Sequence, residues 1–183
     1  MPITEKSQIL PIMVLLFGCP LLLTGCPRCL TGSPVTVPNG DSTPPTAGMT
    51  ANFSTNKPML TVSSGGADVS GSISRNDIVS LIATGSDPDG VQDIQIWVEE
   101  TWWYNQNGFT KQVGPGLLGA PESSSPDSTK PGGQACPTRL LGLNLDITTR
   151  SKQADQYRIR TWATGVNFSG TKVNTSVLTL RFP

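Results

Sequence analysis

The chain has 183 residues, and its 13 basic and 13 acidic side chains give a formal net charge of zero. This balance provides no basic field for nucleic acid, so we expect no nucleic-acid partner. The absence of histidine excludes Ser-His-Asp and Cys-His hydrolases and histidine-ligated zinc. We therefore expect a protein that is not an enzyme, with hydrolysis by carboxylates alone as the conceivable exception. The many glycines and prolines, 19 and 16, favour a turn-rich β-protein.

The N-terminus has the pattern of an export signal. A short polar start precedes an apolar run, Ile9–Leu23, of about 15 residues, whereas a transmembrane helix needs ~20. The run ends in Leu23-Thr24-Gly25-Cys26, which resembles the lipobox of bacterial lipoproteins. The resemblance implies that residues 1–25 are a cleaved signal peptide and that Cys26 is the lipid attachment site. A second Gly-Cys pair ends at Cys19, but bulky Phe17 precedes it where a small residue is expected, so we prefer Cys26.

Acylation of Cys26 would fix the location of the protein. Each methylene of a buried acyl chain, such as palmitate, contributes ~0.8 kcal/mol, so two or three chains anchor a protein firmly to a membrane. The implied location is the bacterial cell envelope, on the extracytoplasmic side. Cys29 and Cys136 would then lie in an oxidising compartment. They either form a disulfide, pinning the central loop to the anchored stalk, or remain two free thiols.

Residues 26–56 are predicted to be a flexible tether. Proline, glycine, serine and threonine dominate this segment, and it has no apolar period. Its prolines favour extended polyproline-like stretches. At ~3 Å per residue, such a tether would hold a domain tens of ångströms from the bilayer.

Residues 57–183 are predicted to form one all-β domain, an antiparallel β-sandwich. Five runs, most with apolar residues at every second position, are predicted strands: Ile78–Thr84, Val91–Trp102, Leu141–Ile147, Tyr157–Ala163 and Leu178–Phe182. Asp87-Pro88-Asp89-Gly90 is a turn, because proline fixes φ, aspartate caps the local backbone and glycine permits positive φ. Period two places Trp97 beside Gln95 and Glu99 on a polar face, and Trp162 beside Arg158 and Arg160.

Two segments carry a family resemblance. Val79–Gly90 followed by Ile94–Val98 resembles strands B and C of bacterial immunoglobulin-like domains, including the cadherin-like and PKD-like groups, and Tyr157–Thr164 resembles strand F. The resemblance implies an immunoglobulin-like sandwich. It also implies that Tyr157 forms a tyrosine corner, with a buried ring and a hydroxyl bonded to the E–F backbone.

A long insertion, residues 105–137, replaces the short connection expected after strand C. Gly114-Pro115-Gly116 and Pro131-Gly132-Gly133 should break any regular element in it. Loops of this length are either functional or disordered, and the scarcity of apolar residues favours partial disorder.

Asp87, Asp89 and Asp93 are candidate calcium ligands, as the cadherin-like resemblance suggests. Calcium takes six to eight oxygens. Three carboxylates are few, and the Asp-Pro-Asp-Gly sequence is already explained as a turn, which is the favoured interpretation. No other cofactor is expected.

Trp102, Trp103 and Tyr104 form an aromatic cluster near Phe109. Exposed aromatic rings stack on sugars and anchor protein contacts, so the cluster is a candidate carbohydrate- or protein-binding patch; the alternative is that the rings pack the strand. Alternation along the strand places Trp102 in the core and Trp103 outside.

Glu99 and Glu100 point to opposite faces of one strand, so they form a solvated edge and no catalytic pair. The sequence thus favours a non-catalytic lipoprotein that presents one binding, adhesion or assembly module. Its partner would be an envelope protein or a polysaccharide. The alternative is a carbohydrate-binding surface lipoprotein that uses the aromatic patch.

Overall fold

A computed structural model describes residues 29, 32–40, 43–106, 109–117 and 122–182. Its elements in chain order are β1 (Val35–Thr36), β2 (Thr46–Phe53), β3 (Leu60–Ser63), β4 (Val69–Ser72), β5 (Ile78–Ser86), β6 (Val91–Gln106), β7 (Phe109–Leu117), β8 (Glu122–Ser123), β9 (Gln134–Ala135), β10 (Thr138–Asp146), α1 (Ile147–Arg150), β11 (Gln156–Asn167), β12 (Lys172–Asn174) and β13 (Leu178–Phe182).

The strands form an all-β sandwich, as the sequence predicts. The smaller sheet has the order β10-β5-β2-β3, and the larger has the order β4-β13-β11-β6-β7, with β12 added to β11 and β8 to β6. Pairing is antiparallel except between β13 and β4. The inner strands of the smaller sheet are β5 and β2, and those of the larger sheet are β13, β11 and β6.

The five predicted strands are confirmed, and their apolar faces meet in one core. Val79, Leu81 and Ala83 of β5 are fully buried. Ile94 and Ile96 of β6 face them from the other sheet, in the same apolar cluster. Most of these strands extend beyond the predicted runs, whereas the C-terminal end of β10 falls short. It stops at Asp146 because the Asp146 carboxylate accepts hydrogen bonds from the amides that begin α1.

The predicted turn between β5 and β6 is also confirmed. The Asp87 carboxylate accepts a hydrogen bond from the amide of Asp89 at 2.8 Å, and the amide of Gly90 donates to the carbonyl of Asp87. Gly90 has a φ of +104°, and a Cβ there would lie 2.9 Å from the Cβ of Ala135. Both the backbone conformation and the packing therefore require glycine.

The prediction of a flexible tether up to residue 56 is wrong for much of that segment. Thr46–Phe53 is β2, paired on both sides by β3 and β5, with Met49 and Ala51 buried. Val35–Thr36 pairs with β9, and Val37 is buried beside it. Apart from Met49 and Phe53, the side chains of β2 are small or polar, so its apolar pattern is weak, and pairing with two neighbouring strands stabilises it.

The insertion is more ordered than predicted. Phe109–Leu117 forms β7, which pairs with residues 99–106 of β6 and includes Gly114 and Gly116, although these glycines are predicted to break it. Pro131-Gly132-Gly133 does lie in a turn, as predicted. The register shifts between Glu100 and Trp102, as at a β-bulge. Gly114, opposite this bulge, has a φ of +93°, and a Cβ there would approach the Glu100 carbonyl oxygen to 2.6 Å. Only glycine therefore fits at this position of β7, opposite the bulge in β6.

Tyr157 is buried as predicted, but its hydroxyl has a different partner. It donates to Oε1 of Glu100 instead of the E–F backbone. Glu100 is 2% exposed, so the predicted solvated edge is wrong for this residue, and Nε of Arg150 lies 3.6 Å from the same oxygen. Burial, reinforced by the Glu100 carboxylate, raises the pKa of Tyr157 well above its usual range. The phenol therefore stays protonated as a permanent donor.

A second buried carboxylate links the β2–β3 loop to the connection between β4 and β5. The side chain of Asp77 is fully buried and accepts hydrogen bonds from Lys57 Nζ, the Ser74 amide and the Thr55 hydroxyl. Burial by itself raises the pKa of Asp77, but these donors, with Lys57 foremost, outweigh it and hold the pKa below its ordinary value.

We expect Asp77→Asn to lower the free energy of unfolding by about 1–3 kcal/mol at neutral pH. Because the folded-state pKa of Asp77 lies below the unfolded value, its contribution is present above about pH 4 and is lost as the pH falls through the folded-state pKa. Urea unfolding between pH 7 and pH 2 should show that the free energy of unfolding falls less steeply with decreasing pH in Asp77→Asn than in the wild type. Glu122→Gln, at an exposed carboxylate, is the control; equal acid slopes in both variants would contradict the prediction.

Candidate functional site

Cys26, the predicted lipid attachment site, lies outside the described residues. Three positions further on, Cys29 forms a disulfide with Cys136, with Cα atoms 5.3 Å apart. Of the two alternatives left by the sequence, the disulfide is therefore confirmed and free thiols are not. It joins the segment that precedes β1 to the connection between β9 and β10.

The three candidate calcium ligands are not brought together. The Asp87 carboxylate serves the turn, whereas that of Asp93 accepts hydrogen bonds from the hydroxyls of Ser123 and Ser124. In the described part of the chain, no group of three Asp, Glu, Cys or His side chains could hold a metal ion. The geometry thus supports a structural role for these aspartates: a turn, and the attachment of β8 to β6.

The aromatic cluster is divided between the core and the surface. Trp102 is buried, and its indole nitrogen donates to the Arg150 carbonyl at 2.8 Å. Trp103 lies on the outer face of the larger sheet, where the Arg158 guanidinium is 5.4 Å from its ring centroid. Tyr104 packs against the edge of the core. The predicted core position of Trp102 and outer position of Trp103 are confirmed, so Trp102 is not available to a ligand.

A pair of tryptophans on the same outer face is the more prominent feature, and sequence reasoning did not combine them. Trp97 of β6 and Trp162 of β11 lie directly opposite each other across the two strands. Their rings are parallel, with 4° between planes and 6.1 Å between centroids, and both are half-buried. The signal was present in the sequence: each tryptophan occupies a position that period two assigns to a polar face.

A groove of about 280 Å³ opens beside the tryptophan pair. It is lined by the two rings and by side chains that carry amide, hydroxyl and ammonium groups: Gln95, Thr164, Lys172 and Asn174. The Thr164 hydroxyl donates to the Asn174 side-chain oxygen at 2.7 Å, which holds β12 against β11. The groove therefore combines flat apolar surface with hydrogen-bonding groups at its rim.

Further along the same face lies a larger and more cationic depression. Its volume is about 590 Å³, and its walls include Trp103, Arg158 and Arg181 beside the backbone of β4. Between the two depressions, Arg160 pairs with Glu99 at 3.1 Å. We call this outer surface of β6 and β11, from Trp97 and Trp162 to Trp103 and Arg158, the aromatic face.

No family model matches the sequence, and no curated protein matches it. Among solved structures, the X-ray structure of Northeast Structural Genomics Consortium target SoR45 is similar to part of the chain. The identity is 19%, the similarity covers 57% of this chain and 70% of that one, and the TM-score is 0.20. So low a TM-score carries no conclusion about this chain.

The described ranges contain no helical segment that could span a lipid bilayer.

Proposed function

We propose that this protein is a non-catalytic envelope lipoprotein, anchored through Cys26, that presents an immunoglobulin-like sandwich as a binding, adhesion or assembly module. The lipobox-like sequence Leu23-Thr24-Gly25-Cys26 supports the anchor. The observation that carries the binding role is the half-exposed tryptophan pair, Trp97 and Trp162, on the aromatic face.

Tryptophan on an outer sheet face needs a physical reason. A sheet face that only meets water is usually covered by polar side chains, whereas tryptophan and arginine are the residues enriched at the energetic centres of protein interfaces. The aromatic face has both, arranged around a groove. These features support partner binding at this face.

Photo-crosslinking in cells tests the proposal. In the full-length protein, a crosslinking residue at position 95, at the rim of the tryptophan groove, should capture one dominant envelope component. The same residue at position 82, on the outer face of the smaller sheet, should not. Equal and diffuse capture from both faces would contradict a binding role for the aromatic face.

Trp97→Ala is expected to weaken binding of the captured partner about tenfold or more, because truncating a central interface tryptophan removes over ~1.4 kcal/mol. Met59→Ala, at a methionine that is 62% exposed elsewhere, should leave the affinity unchanged. Titration of each purified variant with the partner measures the change, and circular dichroism checks that each is folded. Equal affinities of the two variants would remove Trp97 from the site.

Carbohydrate binding is a second candidate, and the composition of the groove favours it. Sugar rings stack their C–H faces on aromatic rings while amides and hydroxyls bond their rims, and Gln95, Thr164 and Asn174 offer such groups beside Trp97 and Trp162. In this case the captured component is a polysaccharide. Its oligosaccharides should change the tryptophan fluorescence of the wild type and not that of Trp97→Ala.

A further inference from the structure

We propose that the Cys29–Cys136 disulfide holds one end of the sandwich directly against the lipid bilayer, in place of a long flexible stalk. The proposal rests on the acylation of Cys26 proposed above. It assigns the interaction surface for the membrane to the end of the sandwich that contains the β5–β6 turn.

The covalent distance from the anchor to the folded domain is short. Cys29 is the third residue after Cys26, and three extended residues span at most about 11 Å. Cys29 is bonded to Cys136, with Cα atoms 5.3 Å apart. An acylated Cys26 therefore lies within about 11 Å of a residue that is covalently part of the sandwich.

Backbone hydrogen bonds place Cys136 at one end of the two sheets. Its carbonyl accepts from the amide of Val91, the first residue of β6, at 2.9 Å, and the next carbonyl, that of Pro137, accepts from Asp87. We call this end the base. Its surface depression, about 500 Å³, is lined mainly by proline and hydroxyl side chains, including Pro44, Pro88 and Pro137, together with Asp87. The prolines and hydroxyls can lie against lipid headgroups at little desolvation cost, and the Asp87 carboxylate is already buried and hydrogen-bonded within the turn.

The same geometry directs the other end away from the membrane. From Val91 at the base to Gln106, β6 makes 15 steps of ~3.3 Å, or about 50 Å. The β6–β7 hairpin, with Phe109 79% exposed, is therefore the end farthest from the anchor. Trp97 lies six residues along β6, about 20 Å from the base, so the aromatic face stands to the side, above the bilayer.

Loss of the disulfide would lengthen the tether considerably. The next attachment along the chain is Val35 in the two-residue strand β1, nine residues from Cys26, which gives a reach of about 30 Å. If the segment around β1 separates from β9, the next residue held to the sandwich is Thr43, whose carbonyl accepts from the Asn167 side-chain amide at 2.8 Å, and the reach becomes about 60 Å. The disulfide thus determines whether the base can leave the membrane.

Energy transfer between the protein and a labelled membrane tests this orientation. Full-length acylated protein would carry a clickable fluorophore at position 88 or at position 109, in phosphatidylcholine vesicles with an acceptor dye on the lipid headgroups. Intact-mass analysis first establishes the acyl chains on Cys26. We expect strong transfer from position 88 and weak transfer from position 109.

Two variants that keep the acyl chains test whether the disulfide is what holds the base near the membrane. In Cys29→Ser/Cys136→Ser, transfer from position 88 should fall by about half, because the reach of the tether roughly triples. A variant with a ten-residue Gly-Ser insertion after Arg28 keeps the disulfide and the fold, and it should show the same fall.

Each contrary outcome has a distinct meaning. A mature chain without acyl mass would overturn the anchored function and the orientation together. An acylated chain with equal transfer from positions 88 and 109, or with transfer unchanged by the Gly-Ser insertion, would overturn the orientation alone.

Discussion

Replacing Cys136 by serine is expected to lower the free energy of unfolding by about 2–5 kcal/mol. The disulfide closes a loop with a sequence separation of 107 residues, and a crosslink over a loop of this length removes much of the conformational entropy of the unfolded chain. The dependence of unfolding on urea should also steepen, because an unfolded chain without the crosslink exposes more surface. Equilibrium unfolding in urea, with and without a thiol reductant, measures both quantities.

The variants Cys29→Ser, Cys136→Ser and the double variant form the matched set. All three break the same bond, so their losses should be nearly equal and not additive. The native-state effect should be confined to the segment before Val37, because Val37 is held to the backbone of residues 132 and 133 by two hydrogen bonds. Limited proteolysis within residues 32–36 should therefore become faster in all three variants. A double variant that loses the sum of the two single losses would show that the cysteines act separately.

The sequence predicted the parts of the fold that depend on strong local patterns. In β5, β6, β11 and β13, most of the residues at every second position are apolar, and this period fixes which face is buried. Four consecutive residues, Asp87–Gly90, determine the turn between β5 and β6. Such features require no knowledge of what lies across the sheet.

The missed parts depend on partners distant in sequence. The strand β2 has mainly small residues and exists because β3 and β5 pair with it, and β7 tolerates Gly114 because a bulge in β6 opposes it. The hydroxyl partner of Tyr157 is the Glu100 carboxylate, 57 residues away in sequence and on the neighbouring strand β6. For the candidate site, alternation placed Trp97 and Trp162 on polar faces, but only the register of β6 with β11 brings them together.

Replacing Arg150 by methionine is expected to lower the free energy of unfolding by about 2–4 kcal/mol. The substitution keeps an apolar stem but leaves the Glu100 carboxylate, 2% exposed, with the Tyr157 hydroxyl and no cation within reach of Oε1 among the described residues. Removing one member of a buried ion pair is strongly destabilising, because the remaining charge is no longer compensated; the figure is reduced here since Arg150 is 26% exposed. Thermal or urea unfolding at neutral pH measures the loss.

The neighbouring residue of Glu100 on β6, Glu99, provides the control. Glu99 and Arg160 form an ion pair on the outer face, with Arg160 42% exposed, so Arg160→Met should change the stability by less than ~1 kcal/mol. Adding Glu100→Gln to Arg150→Met should recover part of the loss, because a neutral amide needs no cation while still accepting from Tyr157. If Arg150→Met and Arg160→Met were equally stable, solvent would have to reach Glu100 in the folded protein. The buried carboxylate would then contribute nothing to the junction of β6, β11 and α1.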